Sequence, residues 1–328
     1  MGVKNENAIY DRHGNRIRIW IGNDEEAVEL DKEKLESVLR EVYYKVSIKR
    51  NFLNFLRMAT RHPVILYDVI DAVLKGEIAD MGGKIRRRII KEVLNLKENP
   101  THITIKIGRG TLFDIGRKRE LFPSILYSCI EIFRDDHYDI GKADLNNKVV
   151  VDVGANIGIF SLYSTVYDTK VVYAFEPVKE TYDILVENIK RNELENRIIP
   201  INKGLGDVEE RKMISYTCGG DEGAYIIPRS ESGVNKPKIQ EIKVITLDDF
   251  VKENNIERID FIKMDTEGYE ENILLGAKET IKRWKPILSF SAYHKPTDKE
   301  RLPKIVKSIR PDYKITLNKF SEEDFYCE

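Results

Sequence analysis

The sequence predicts an α/β protein with a mostly parallel sheet and a helical region before it. From Lys148 onward, short β-branched segments alternate with amphipathic ones, beginning with Val149–Val151 and a helix that starts near Ile157. This alternation is typical of βαβ units with right-handed crossovers. A glycine-rich turn, DVGANIG at Asp152–Gly158, joins that first strand to its helix. Together these observations indicate a doubly wound sheet of the nucleotide-binding type.

The elements of this sheet follow in order along the chain. The predicted strands, rich in Val, Ile and Phe, cover Val149–Val151, Val171–Phe175, Ile198–Ile201, Phe261–Met264, Ile287–Phe290 and Tyr313–Leu317. The later helices cover Glu180–Asn192, Glu270–Trp284 and Lys299–Ile309. Upstream, the alternating THITIKI of Thr101–Ile107 predicts one more strand, and Leu121–Tyr138 predicts an aromatic-rich helix. Gly219–Pro237, rich in Gly, Ser and Pro, is expected to form a loop or hairpin insertion.

Residues 31–96 have a helical pattern instead. Apolar side chains recur at i, i+3, i+4, i+7, i+8 and i+11, at Leu35, Val38, Leu39, Val42, Tyr43 and Val46. Pro63 and Gly82-Gly83 interrupt the pattern, so about three helices are expected. We therefore predict a helical N-terminal region over residues 1–100, which caps a cleft or mediates assembly, and a cofactor-binding domain over residues 101–328.

Composition narrows the functional class. The 328 residues carry 54 Lys and Arg against 55 Asp and Glu, a net charge of −1, which argues against a general nucleic-acid binder. The three cysteines have no CxxC spacing, so neither a zinc cluster nor a disulfide framework is indicated. No apolar run approaches the roughly 18 residues of a membrane span, and the start lacks an apolar leader, so a cytoplasmic location is expected. A single glutamine beside abundant Lys and Glu is common in heat-adapted proteins.

One local charge excess stands out. Residues 45–97 contain 12 basic against 5 acidic side chains, including the run Arg86–Arg88. A solvated helix face explains such a run. The alternatives are a binding site for a phosphate-bearing acceptor and a peripheral contact with an anionic membrane surface.

The glycine turn predicts the class of cofactor. Glu176 ends the second strand, 18 residues after Gly158, where nucleotide-binding sheets grip a ribose diol. The spacing from Gly154 to Gly158 departs from GxGxxG, and an anionic Asp152 would repel a pyrophosphate but suits an α-amino group. S-adenosyl-L-methionine offers both the ammonium and the diol, so it is preferred over NAD. The alternative is a fold of this type that binds no cofactor.

Several motifs resemble those of the FkbM family of S-adenosylmethionine-dependent methyltransferases. They are DVGANIG, the following FEP, NKGLGD, TLDDF and KMDTEGYE, and the similarity runs from about Thr101 to the C-terminus. The resemblance implies a class I methyltransferase fold, with a seven-stranded, mostly parallel sheet whose last strand is antiparallel at one edge. It also implies O-methylation of a sugar or polyketide hydroxyl. The cofactor positions that match are Asp152, Gly154, Asn156, Gly158 and Glu176, with Leu205 and Asp207 where the adenine is bracketed.

An alcohol acceptor must lose a proton, so a base is expected at the strand ends. His294 follows the strand Ile287–Phe290 and is the first candidate, although a loop histidine that caps or packs fits the same position. Asp265 fits as base, as orienting group for the acceptor or as partner of the cofactor's amino group. Glu267 and Tyr293 are candidates for acceptor binding, and Glu267 also suits the start of a helix. Asp265, Glu267 and His294 suit a divalent ion too, but spacing does not show one, so no metal is assigned.

The remaining residues and functions stay open at this point. Lys263 has no clear role, and Tyr127, Phe133 and Tyr138 either line the cleft or pack in the core. We expect methylation of a hydroxyl on a small-molecule or glycan acceptor, such as a glycolipid precursor. The alternatives are RNA or N-methylation, which the 35 basic against 39 acidic residues after residue 100 disfavour, a non-catalytic binding protein, and an NAD enzyme. No specific nucleic-acid partner is expected, and the sequence leaves the oligomeric state open.

Overall fold

The protein is described here by a computed structural model. It covers residues 8–10, 16–22, 27–39, 102–107, 111–116, 122–216, 225–226, 238–319 and 323–328. The chain divides into two compact units, Met1–Ile130 and Glu131–Glu328. The helices predicted after residue 39 and the basic run Arg86–Arg88 lie outside the described residues. No helix in the described part of the chain combines the length and apolar character that crossing a bilayer requires.

The described part of the first unit is dominated by a five-stranded antiparallel sheet. Its elements are β1 (Ile9–Tyr10), β2 (Arg16–Gly22), β3 (Ala27–Leu30), α1 (Lys32–Leu39), β4 (His102–Ile107), β5 (Thr111–Gly116) and α2 (Phe122–Cys129). β2 pairs with β1, β3 and β4, and β4 pairs with β5. Ile19 of β2 lies opposite Ile105 of β4, and both are buried.

This sheet corrects two expectations about the N-terminal region. The described residues Ile9–Tyr10, Arg16–Gly22 and Ala27–Leu30 form strands rather than helices, and in β2 the side chains of Ile17, Ile19 and Ile21 alternate with Arg18 and Trp20 and bury one face. The predicted strand at Thr101–Ile107 exists as β4, but it belongs to the first unit, whose boundary is Ile130 rather than residue 100. The division into functional domains at residue 100 stays a prediction.

The second unit contains the predicted alternation of strands and helices. Its elements are β6 (Val149–Val153), α3 (Ile159–Ser164), β7 (Val171–Phe175), α4 (Lys179–Arg191), β8 (Ile198–Ile201), β9 (Gly204–Leu205), β10 (Glu210–Tyr216), β11 (Tyr225–Ile226), β12 (Lys238–Ile245), α5 (Leu247–Glu253), β13 (Phe261–Met264), α6 (Glu270–Gly276), α7 (Lys278–Trp284), β14 (Ile287–Ser291), α8 (Asp298–Ile309), β15 (Ile315–Lys319) and β16 (Glu323–Cys327). All five residues of β6 are buried, as expected for a central parallel strand.

Seven of these strands form one sheet in the order β15-β16-β14-β13-β6-β7-β8. β14, β13, β6, β7 and β8 are mutually parallel, and β16 is antiparallel to both of its neighbours. The class I methyltransferase fold that the resemblance implied is therefore confirmed. One detail differs: the antiparallel last strand lies one position in from the edge, because the chain turns back after β15 and inserts β16 beside β14.

A smaller sheet is formed between β8 and β13 of the chain. β10 and β12 are antiparallel along Glu210–Tyr216, and β11 and β9 pair with them at its two sides. The predicted insertion Gly219–Pro237 lies between these strands, and of it only β11 is described. β9 pairs in parallel with the end of β12, so the residues after β8 lie beside the start of α5.

Candidate active site

The glycine turn Asp152–Gly158 lies at the carboxyl end of β6. Gly154 has φ 73° and Gly158 has φ 95°, in the left-handed region where glycine is favoured. A Cβ on Gly154 would lie 2.0 Å from the carbonyl oxygen of Asp265, and one on Gly158 would lie 2.6 Å from Leu185 Cδ1. The turn is thus packed against the end of β13, and its first glycine has no room for a side chain.

Glu176 lies beside this turn at the end of β7. Its Oε2 accepts a hydrogen bond from the backbone N–H of Asn156 (3.0 Å), and its Oε1 accepts one from Val178 (2.8 Å). Burial raises the pKa of Glu176 to about 7, against the opposing effects of these two hydrogen bonds and of the Lys263 charge. Each carboxylate oxygen can accept a further hydrogen bond, so the pair suits the two hydroxyls of a ribose.

Asp152 lies beneath the turn and has other partners than the predicted ammonium group. The residue is fully buried; Ser161 Oγ donates to its Oδ2 (2.6 Å), and Lys263 Nζ lies 3.2 Å from its Oδ1. Its charge is therefore compensated within the protein. These partners reduce the attraction that Asp152 would exert on a cofactor ammonium group, and its contact with that group stays a prediction.

Lys263 is a site residue whose role the sequence did not reveal. It lies on β13 with only 4% of its surface exposed, and its Nζ donates to the carbonyl oxygen of Gly154 (2.9 Å). The rings of Tyr138 and Phe160 lie with their centroids 5.2 and 5.8 Å from the same nitrogen. Its position between apolar residues of a strand could have indicated that Lys263 is buried. A buried lysine requires charged or polar partners.

Leu205 and Asp207, the predicted adenine contacts, follow β8 as expected. Leu205 is buried within the main hydrophobic core. Asp207 accepts a hydrogen bond from Asn272 Nδ2 (2.9 Å) on α6. Leu205 thus lies in the core, and Asp207 is hydrogen-bonded to a helix. The contact of either residue with an adenine stays a prediction.

Asp265 begins the loop after β13 and is held at both carboxylate oxygens. Tyr138 donates to Oδ2 (2.8 Å) and Ser291 donates to Oδ1 (3.0 Å). Burial opposes ionisation, but the charges of Lys263 and His294 and these two hydrogen bonds outweigh it and lower the pKa of Asp265. An aspartate that stays ionised and fixed suits an orienting role better than that of a base.

His294, the predicted base, lies within a group of carboxylates. Its Nδ1 is 3.2 Å from Glu270 Oε1, while its Nε2 is 3.6 Å from both Asp265 Oδ1 and Glu267 Oε2. We refer to Asp265, Glu267, Glu270 and His294 as the carboxylate–histidine cluster. Burial alone would lower the pKa of His294, but Glu270 foremost, with Asp265 and Glu267, raises it to about 9.

Glu270 is the second site residue that the sequence did not single out. It is buried, and its Oε1 accepts hydrogen bonds from Thr266 N (2.9 Å) and Thr266 Oγ1 (3.1 Å). This fixes the carboxylate that faces His294 Nδ1. Its position at the first residue of α6 concealed it, because an acid there is explained by the helix dipole alone.

Glu267 and Tyr293 lie at the exposed side of the cluster. Glu267 has φ 55° and an exposed side chain, and the ring of Tyr293 has its centroid 4.3 Å from that of His294. The structure therefore brings both predicted acceptor-binding residues next to the candidate base. Their contact with an acceptor stays a prediction.

The cluster also has a spacing that a metal ion can use. Ligand atoms of Asp265, Glu270 and His294 all lie within 4.8 Å of one another. This group contains Glu270 in place of Glu267, which the sequence offered together with Asp265 and His294. Both oxygens of Asp265 and the Oε1 of Glu270 already accept hydrogen bonds, however. Because these hydrogen bonds account for the carboxylates, we assign no metal, and its absence stays an expectation.

The aromatic residues before the sheet divide between core and site. Tyr138 reaches Asp265, whereas Phe133 is buried against Tyr163 with ring centroids 5.1 Å apart. The side chain of Tyr127 lies outside the described residues. Next to Tyr138, His137 Nε2 lies 2.7 Å from the buried Asp324 Oδ2 on β16, a pairing that the sequence did not predict.

Comparison with known proteins finds a matching family model and several similar methyltransferases. Residues 152–325 match the family model described as the methyltransferase FkbM domain. "Methyltransferase sdnD" of Sordaria araneosa is 27% identical over 175 residues, covering 45% of this chain and 67% of that protein. "Hexuronic acid methyltransferase AglP" of Haloferax volcanii is 28% identical over 182 residues, covering 54% and 68%.

A solved structure of the FkbM methyltransferase from Methylobacillus flagellatus is 28% identical, with a TM-score of 0.44. The match covers 56% of this chain but only 44% of that one, so the present chain spans less than half of its length. The family model, by contrast, spans more than half of the present chain, from the first residue of the glycine turn to β16. The chain therefore belongs to the FkbM family of methyltransferases.

Proposed function

We propose that the protein transfers a methyl group from S-adenosyl-L-methionine to a hydroxyl of a small-molecule or glycan acceptor. The observation that carries the proposal is the close approach of two groups at one edge of the sheet. Glu176 and the glycine turn offer acceptors for a ribose diol, and the carboxylate–histidine cluster offers a base. Gly154 joins the two, because a Cβ on this residue would lie only 2.0 Å from the Asp265 carbonyl oxygen.

The residues present fit this cofactor. Each carboxylate oxygen of Glu176 accepts one backbone hydrogen bond and has room for a second, which suits the two hydroxyls of a ribose. S-adenosyl-L-methionine supplies an electrophilic methyl group on a sulfonium. The ionised Asp265 lies at the same strand ends, where a fixed negative charge favours a cationic ligand.

The chain's own residues then act on the acceptor. Asp265 is fixed by Tyr138 and Ser291, and it orients the acceptor hydroxyl as a hydrogen-bond acceptor. Neutral His294 takes the hydroxyl proton at Nε2, the nitrogen that faces Asp265. Glu270 holds Nδ1 and stabilises the imidazolium that forms. Positioning and proton removal are the two tasks that such a displacement requires from the protein.

A sugar is the class of acceptor that the name of one relative supports. The relative from Haloferax volcanii is named for a hexuronic acid, a sugar that carries a carboxylate beside its hydroxyls. Transfer to RNA or to an amine, and a non-catalytic binding role, remain the alternatives. A phosphate group on the acceptor, a peripheral membrane contact through Arg86–Arg88 and a cytoplasmic location stay predictions. A screen with labelled methyl donor over neutral sugars, hexuronic acids, sugar phosphates and RNA distinguishes the acceptors.

Calorimetry tests the cofactor directly. We expect S-adenosylmethionine and S-adenosylhomocysteine to bind with micromolar affinity and NAD⁺ not to bind, because the spacing from Gly154 to Gly158 departs from the GxGxxG turn of dinucleotide sites. The variant Glu176→Gln keeps the size of the side chain and should weaken both sulfur ligands. Folded protein, verified by circular dichroism, that binds neither sulfur ligand would contradict the proposal.

The pH dependence of turnover tests the base. His294 must lose its proton before it accepts another, so kcat/KM for the acceptor at saturating methyl donor should rise with pH. The midpoint should lie at or below about 9, since a bound sulfonium cation disfavours a second positive charge nearby. The variant Glu270→Gln removes the largest cause of the raised pKa and should move the midpoint to lower pH. A wild-type profile that is flat from pH 6 to 9 would rule out this assignment.

A further inference from the structure

Lys263 connects the two parts of the site. It lies on β13 opposite Asp152 of β6, in the register that joins the two central strands of the sheet. Its Nζ donates to the carbonyl oxygen of Gly154 and forms the ion pair with Asp152. One ammonium group thus fixes both the acid that precedes the glycine turn and the peptide group at its first glycine.

The same charge reaches carboxylates on both sides of the turn. It favours the ionised form of Glu176 at the end of β7 and that of Asp265 at the end of β13. Because Lys263 is 4% exposed, water screens these interactions weakly. A neutral side chain of the same length could fill the space but could not supply this field.

We propose that Lys263 is a positioning residue for the methyl donor: it holds the glycine turn through Asp152 and the Gly154 carbonyl, and so places Glu176 to receive the ribose diol. The inference rests on the proposed function, because it assumes that Glu176 binds this diol. Lys263 would then act on the binding of the methyl donor, whereas the carboxylate–histidine cluster acts on the acceptor.

Glu176 is the group through which the inference can be measured. The backbone N–H groups of Asn156 and Val178 donate to it, and the charged groups that face it are Lys263 from β13 and Asp152 from β6. Lys263 lowers its pKa and Asp152 raises it, with burial bringing the result to about 7. A protonated carboxyl has one acceptor fewer for the diol, so ligand affinity should fall as pH decreases through this value.

The experiment measures binding of S-adenosylhomocysteine from pH 5.5 to 8.5 by calorimetry. Lys263→Met should move the midpoint of the affinity curve to higher pH, and Asp152→Asn should move it to lower pH. At a pH below the midpoints of both variant and wild type, a midpoint displaced by one pH unit changes the affinity about tenfold. Lys263→Arg keeps the charge and should leave the midpoint near that of the wild type.

Damage to the fold would not move the midpoint of the affinity curve in opposite directions in Lys263→Met and Asp152→Asn. A purely structural role would weaken binding at every pH without moving the midpoint, or would move it in the same direction in both variants, and either result would overturn the inference. If Lys263→Met does not fold, Lys263→Gln decides, because it also removes the ammonium charge, and an unchanged midpoint in that variant contradicts the role of Lys263. Wild-type protein that binds no S-adenosylhomocysteine would instead refute the proposed function.

Discussion

Replacing His294 by alanine is expected to lower kcat by about 10²–10⁴, while the affinity for S-adenosylhomocysteine changes little. The imidazole faces the strand-end carboxylates through Nε2 and is held by Glu270 through Nδ1. Alanine removes the proton acceptor, but it leaves the glycine turn and Glu176 in place. Single-turnover rates with labelled methyl donor, beside calorimetry on the same preparation, separate chemistry from binding.

Two controls sharpen this prediction. Glu270→Gln retains His294 and should reduce kcat by less than His294→Ala, because the imidazole loses only its orienting partner. Tyr293→Phe alters the neighbouring residue without removing a proton acceptor from the cluster, so it should retain most of kcat. Normal turnover in His294→Ala would leave this histidine as a buried packing residue and would require another base.

Gly154→Ala is expected to abolish detectable binding of the methyl donor and to destabilise the protein. The new Cβ would lie 2.0 Å from the Asp265 carbonyl oxygen, which is backbone and cannot rotate away, and φ is 73°. Strain in such a conformation costs about 1–3 kcal/mol before the clash is counted. Urea denaturation should therefore show a free energy of unfolding that is lower by at least this amount.

Gly204→Ala is the matched control for this variant. A Cβ at Gly204 would lie 3.4 Å from Ile242 Cδ1, an ordinary contact with a side chain that can adjust. We expect this protein to fold and to bind S-adenosylhomocysteine like the wild type. If Gly154→Ala also bound the ligand normally, the close contact between the turn and β13 would have no bearing on the cofactor.

The parts of the site that are local in sequence could be predicted from it. The glycine turn, Glu176 and the strand before each follow from runs of β-branched residues and from glycine spacing. Both lie within one βαβ unit, so no long-range information was needed. The proximity of His294 and Asp265 could also be predicted, because polar residues directly after buried strands gather at the same edge of a parallel sheet.

The supporting residues depend on which strands become neighbours. Lys263 meets Asp152 only because β13 pairs with β6, and His137 meets Asp324 only because β16 inserts beside β14. Strand β16 itself was missed, since Glu323 and Asp324 are unfavourable in strands unless a partner such as His137 is present. The alternation in β2 was overlooked because the helical stripe that follows it is longer and more regular.

The strand order has a consequence for how the molecule is held together. The chain runs outward from β6 through β7 and β8 on one side, then returns to build β13, β14, β16 and β15 on the other. The boundary between these two halves is the β6–β13 pair, where the glycine turn meets Asp265. A ligand bound at this pair would contact both halves of the sheet. Its binding energy would therefore stabilise the folded sheet against unfolding that separates the halves. Binding of the methyl donor and stability of the sheet would then depend on the same backbone groups, those of the glycine turn and Asp265.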